Sequence, residues 1–276
     1  MSSWKWIIVA ILLSLAVLYI VKKWLDYRTP YDDDKCVIED CNMAVSLRRI
    51  GWFIGIALAL AGSLTSITKD VDGLLEFLMD FAIAFILLNI AGMLANKVIL
   101  PRVNNSEEIG KGNVAVGLLE AGVYIGLGTL LFGAFTGSGG GTLSAAVFGS
   151  VGVLLFILLF KIIDWVTPID LSTEISGGSL AAAMSTIGDL LSLGLILGVS
   201  IAGPFEGWAK DFQSFAVSAV LGVVALMVIQ KLVDWFFLPK VTINDEIRSG
   251  NLASMVLVEG TTLAVVIVAS VMLVTF

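Results

Sequence analysis

Eight long apolar stretches, separated by short polar links, set the pattern of this chain. They run over about residues 4–21, 42–64, 74–94, 113–135, 143–160, 179–202, 212–229 and 251–276. A bilayer core of ~30 Å needs ~20 apolar residues of helix, so each stretch predicts one membrane-spanning helix. The predicted fold is an all-α polytopic membrane protein with eight transmembrane helices. The first stretch is followed directly by Lys22 and Lys23 and carries no small-residue cleavage signal, which predicts a retained anchor. The longest polar link, residues 22–41, is too short for a separate soluble domain.

Orientation follows from basic residues in short loops. The links after spans one, three, five and seven hold Lys22, Lys23, Arg28, Lys35, Lys97, Arg102, Lys111, Lys161, Lys231, Lys240 and Arg248, against Lys5, Lys69 and Lys210 on the opposite side. That bias predicts four cytoplasmic links, with both termini outside. Three odd-numbered spans also end alike, in Lys23-x-x-Asp26-Tyr27, Lys161-x-x-Asp164-Trp165 and Lys231-x-x-Asp234-Trp235, residues suited to a membrane interface.

The four links share their punctuation. Pro30, Pro101, Pro168 and Pro239 are each followed by the pattern Ile-x-x-[Gly/Cys]-[Asn/Ser]-x-Ala, beginning at Ile38, Ile109, Ile175 and Ile247. Asn42, Asn113, Ser179 and Asn251 are suited to cap the helices that follow, because a side-chain oxygen there accepts from an otherwise unpaired backbone N–H. Further along the same face stand Gly51 and Gly55, Gly122 and Gly126, Gly188 and Ser192, and Gly260 and Ala264. Small residues at this spacing let another backbone approach closely in lipid, so they predict a helix-packing seam. The hairpin repeats are read as residues 1–72, 73–138, 139–207 and 208–276. Pro30 to Pro168, Pro101 to Pro239 and Gly122 to Gly260 are each separated by 138 residues, half of the 276-residue chain, so 1–138 and 139–276 are read as duplicated halves. Every repeat contains two spans, so the four are parallel.

The Ile-x-x-Gly-Asn-x-Ala link opening a Gly-rich span, repeated in hairpin pairs, resembles the bacterial inner-membrane family called domain of unknown function 350, the YjfL-like proteins. The likeness covers all four hairpins, and a typical member resembles one half of this chain. It implies a multi-pass protein of the bacterial cytoplasmic membrane and gene neighbourhoods linked to envelope stress, hence a cytoplasmic stress-response partner. It implies no reaction, substrate, cofactor or catalytic residue. Repeat one departs from the pattern with Cys41 in place of Gly, and repeat three with Ser179 in place of Asn.

Composition narrows the chemistry. Apolar residues make up 58% of the chain and charged residues 14%, with a mean hydropathy of +1.00. There is no histidine, which excludes His-based triads, His-ligated zinc and His-ligated haem. A net charge of −7 and scattered basic residues argue against nucleic acid. Cys36 and Cys41 cannot form a four-ligand metal site and are read as free thiols. No enzyme activity, cofactor or metal is expected; the expected partners are the lipid bilayer, a homo-oligomeric copy and the stress partner named above. Asp32, Asp33, Asp34, Glu39 and Asp40 make the first link acidic, which reads as a solvated loop.

Four carboxylates fall inside spans, where ionisable groups are expensive and raise a functional hypothesis: Asp80, Glu120, Asp189 and Glu259. Glu120 lies roughly 160° around its helix from Gly122, so carboxylate and seam should face different neighbours. Two readings stay open. The acids form a proton or small-cation path, for permeation or sensing; or they are structural, with Glu120 paired to Arg49 across neighbouring repeats, in a membrane scaffold whose cytoplasmic links recruit partners.

Overall fold

The computed structural model describes residues 3–66, 71–101, 103–137, 139–238 and 241–274. Lys69, Arg102, Pro239 and Lys240, used above for charge bias and repeat pattern, lie outside them. Among the described residues the chain forms twelve helices and no strand. They are α1 (Ser3–Arg28), α2 (Asp33–Ile38), α3 (Met43–Ser66), α4 (Val71–Ile99), α5 (Asn105–Gly110), α6 (Val114–Phe135), α7 (Gly141–Val166), α8 (Leu171–Ser176), α9 (Leu180–Ile201), α10 (Trp208–Phe237), α11 (Ile243–Arg248) and α12 (Leu252–Val274). The eight long ones are apolar enough to cross a membrane. Odd-numbered spans run past their apolar stretches: α1, α7 and α10 continue helical through the Lys-x-x-Asp-aromatic ends, with Tyr27, Trp165 and Trp235 exposed.

The links carry what the hydrophobic pattern does not predict, a six-residue helix in each: α2, α5, α8 and α11. Asp32, Asn104, Asp170 and Thr242 cap their first turns. The repeated Ile-x-x-Gly-Asn motif is the exit from this short helix into the following span. Gly112, Gly178 and Gly250 have φ of 91°, 91° and 72°, a left-handed conformation that a Cβ disfavours. The N–H of Gly112 donates to the Ile109 carbonyl and that of Asn113 to the Glu108 carbonyl, a Schellman turn repeated at Gly178 and Gly250. Cys41 holds the same place in repeat one at φ 52°, and there the bond shifts, Asn42 N–H reaching the Cys36 carbonyl. Ile109, Ile175 and Ile247 are buried beneath the turn, whereas Ile38 is exposed. All four predicted caps are formed: Asn42, Asn113, Ser179 and Asn251 accept from Val45, Val116, Ala182 and Ser254 N–H.

The spans α3, α6, α9 and α12 stand side by side in chain order, and α1, α4, α7 and α10 pack along this row. Absent side chains make the row possible. A Cβ at Gly51 would overlap the Ala121 backbone, one at Gly122 would lie 2.6 Å from Ile187 Cγ1, and one at Gly126 would lie 2.7 Å from the Leu190 carbonyl. Near the far ends, Gly62 meets Phe132 and Gly133 meets Gly198. Contacts that stay in register from cap to far end make these spans parallel. One seam position departs from expectation: nothing lies within 4 Å of a Cβ at Gly260, and Ala264 is exposed too. Among the described residues the row ends at α12, and no further span lies against that face.

Candidate functional site

The intramembrane acids are distributed over three places. Asp80, on α4, accepts a 2.6 Å hydrogen bond from Ser63 Oγ of α3 and borders a 440 Å³ cavity at the end opposite the link helices, beside Glu76, Gly137, Phe205 and Asp211. Glu120, on α6, faces the link end. It accepts from Asn96 Nδ2 of α4 at 2.8 Å and from Asn105 Nδ2 of α5 at 3.0 Å, in a 560 Å³ cleft walled by α4, α5 and α6. As the helical angle predicts, Glu120 and Gly122 face different neighbours, since Gly122 lies against Ile187 of α9.

The proposed partnership of Glu120 with Arg49 is not formed. Arg49 turns instead to the first link, with Nη2 2.9 Å from Asp26 Oδ1 and Nη1 2.9 Å from Asp34 Oδ1. Arg48 Nη2 lies 3.3 Å from Asp33, whose side chain is fully buried. The physical reason is distance along the chain: the short link returns its acids over the start of α3 at once, while Glu120 Oε1 receives two amides from α4 and α5. The acidic link is therefore only partly solvated, with Asp32, Glu39 and Asp40 exposed and Asp33 buried. Hydrogen bonds from Lys22 and Arg49 hold the Asp34 carboxyl below its usual range. Tyr31 stacks on the Arg48 guanidinium at 5.4 Å, and burial pushes its phenol up to about 12.

Asp189 and Glu259 are brought together. Both line a 480 Å³ cleft walled by the link ends of α7 and α10, by α11 and by the facing sides of α9 and α12. Glu259 seats against Gly188, where any side chain would collide with its carboxylate, so the seam glycine is also the space that holds the acid. Gln230 Nε2 of α10 donates to Asp189 Oδ1 at 2.5 Å, and Ser185 Oγ to Glu259 Oε1 at 3.3 Å. Glu259 Oε2 and Thr262 Oγ1, on one wall of the cleft, are buried without a hydrogen-bond partner, as is Ser192 Oγ deeper in the seam. Among the described residues no lysine or arginine pairs with either acid.

Each half thus carries a cleft at its link end, bounded by an odd span, its short helix and the next span. The sequence reading missed the amides and hydroxyls that complete them: Asn96, Asn105, Ser185, Gln230 and Thr262. Gln230 and Asn96, each just past the end of an apolar stretch, were the local signals, because a polar side chain there needs a partner. No cluster of three metal-ligating side chains occurs among the described residues.

No solved structure matches the chain. A curated relative, the "UPF0719 transmembrane protein" of Aquifex aeolicus (strain VF5), is 22% identical over 227 residues, covering 81% of this chain and 83% of its own length. The two proteins are therefore of similar length. The family Domain of Unknown Function (DUF350) matches twice, over residues 1–135 and 138–273, on either side of the midpoint that the 138-residue spacing marks. With eight spans in four parallel hairpins and the family pattern in both halves, this multi-pass membrane protein belongs to the DUF350 family in a doubled form.

Proposed function

We propose that the chain is a non-enzymatic protein of the bacterial cytoplasmic membrane that takes up a proton or a small cation in the α9–α12 cleft, for sensing or as the entry to permeation. The supporting observation is the pair Asp189 and Glu259, two buried acids side by side with no paired Lys or Arg among the described residues and one carboxylate oxygen unpartnered. Two like charges removed from water are costly unless a proton or a cation resides with them. Gln230 and Ser185 orient the carboxylates, and Thr262 offers a further oxygen. Glu120 accepts from two asparagines at Oε1 and has no second acid in its cleft, and Asp80 lies at the other end of the bundle. The uptake site is therefore the pair, and not a continuous file of four acids.

Reconstitution in proteoliposomes tests this reading. Under a proton or potassium gradient, wild-type protein is expected to show flux or a gradient-dependent change in tryptophan fluorescence, and Glu259→Gln and Asp189→Asn are expected to abolish it while remaining folded. A silent wild type, or a response unchanged in both variants, overturns the reading.

The same proposal places the links in the cytoplasm. Cys41 is exposed, whereas the Cys36 thiol is half-buried and pushed up by burial and by Asp40 and Asp33. A membrane-impermeant maleimide is expected to label Cys41 only after permeabilisation, and Cys36 more slowly at neutral pH. Labelling of Cys41 in intact cells would reverse the orientation.

A further inference from the structure

We propose that a second copy of this chain seats its α3 on the bare face of α12, repeating between copies the contact that joins successive hairpins within one. Inside the chain that contact has a fixed register. The glycine nine residues after each cap meets the residue eight after the next cap: Gly51 on Ala121, Gly122 on Ile187, Gly188 on Glu259. The small residue four further along meets the following helix in the same way, Gly55 against Tyr124 and Gly128, and Gly126 against Leu190 and Gly194. Ala44, Ala115 and Ala181, two residues after their caps, are buried on this same face.

Both halves of the contact recur unmatched at the ends of the row. On α12 the small-residue face consists of Ala253, Gly260 and Ala264, all exposed, with nothing within 4 Å of a Cβ at Gly260. On α3 the receiving positions are Ile50, Ala57 and Ala61. Ile50 is 46% exposed and both alanines are exposed, although the residues equivalent to Ile50 in the later hairpins are buried: Ala121 at 5%, Ile187 at 7% and Glu259 at 6%.

The caps tell the same story. Asn42 Nδ2 donates to the carbonyls of Ile109 and Gly110 at the end of α5, and Asn113 Nδ2 to that of Ser176 at the end of α8, so these two asparagine caps clasp the next short helix. Asn113 Nδ2 also donates to Glu108 of its own short helix, and Asn251 keeps only that inner bond, to Glu246, with no next short helix beside it among the described residues. An α2 from a second copy would supply the missing carbonyls.

Lipid competes equally with apolar side chains, so close backbone approach at small residues is what favours association of helices in a membrane. The contact is heterologous, α12 of one copy against α3 of the next, and all copies point the same way across the bilayer. An isologous pair through either face would not reproduce the internal register.

Cysteine cross-linking in native membranes tests the register, in a C36S/C41G background, since glycine suits the left-handed backbone at position 41. Differently tagged chains are co-expressed, one carrying Gly260→Cys and the other Ile50→Cys, or one Ala264→Cys and the other Ala57→Cys. Disulfide formation requires Cα atoms within about 7 Å, so it reports direct helix contact. Cross-linked dimers are expected in the mixed pairs and not in like-with-like pairs. Gly260→Leu is expected to shift photobleaching counts in membranes from several subunits to one. A dimer from two Gly260→Cys chains, absence of both mixed cross-links in membrane-inserted protein, or an unchanged subunit count for Gly260→Leu overturns the proposal.

Discussion

Gly51→Leu and Gly194→Leu are expected to abolish the native packing of the bundle, whereas Gly260→Leu leaves the fold of the single chain intact. A side chain at Gly51 runs into the backbone of Ala121, and one at Gly194 into the backbone of Gly126, so nothing at the contact can rotate aside. The helices must separate, and small-to-large changes in a packed interior cost about 1–3 kcal/mol even where neighbours can yield. With backbone on the opposing side, the loss is expected at the upper end of that range or beyond it, about 3 kcal/mol or more. Lipid offers no hydrophobic drive to reassemble the separated spans. Thermal unfolding of the monomer in detergent checks this: a large drop for the first two variants and none for Gly260→Leu is the expected pattern. Equal tolerance at Gly51 and Gly260 would refute the seam.

Arg48→Gln is expected to destabilise the link end by about 3–5 kcal/mol, the scale for leaving a buried charge without its partner. Asp33 is fully buried, lies 3.3 Å from Arg48 Nη2, and retains only the longer 3.6 Å approach of Arg49 Nε once Arg48 is gone. Asp33→Asn introduced with Arg48→Gln is expected to restore much of the loss, because two neutral amides no longer demand a counter-charge. A double-mutant cycle by thermal or denaturant unfolding measures the coupling. Additive losses would show that Asp33 and Arg48 act independently. The exposed Lys111–Glu107 pair, 2.8 Å apart, serves as the contrast: both side chains are more than half exposed, and its removal is expected to cost little.

Spans, repeats and caps were legible in the sequence because each is a property of consecutive residues. Apolar length fixes which segments cross a bilayer, and an Asn or Ser at the start of α3, α6, α9 and α12 finds its N–H partner three residues away. The small-residue faces were legible as faces, since helical geometry alone puts Gly51 beside Gly55 and Gly122 beside Gly126. Which of those faces is covered depends on where the row of helices stops, and that made Gly260 bare while Gly51, with the same motif, touches backbone. The partners of the charged residues were decided in the same way. Arg49 and Glu120 share a depth in the repeat pattern, but α2 folds back over α3 and claims the arginine, while α4 and α5 bring two asparagines to the glutamate. Asp189 and Glu259 lie seventy residues apart and meet only because α9 and α12 pack with a glycine where a side chain would have kept the two acids separate.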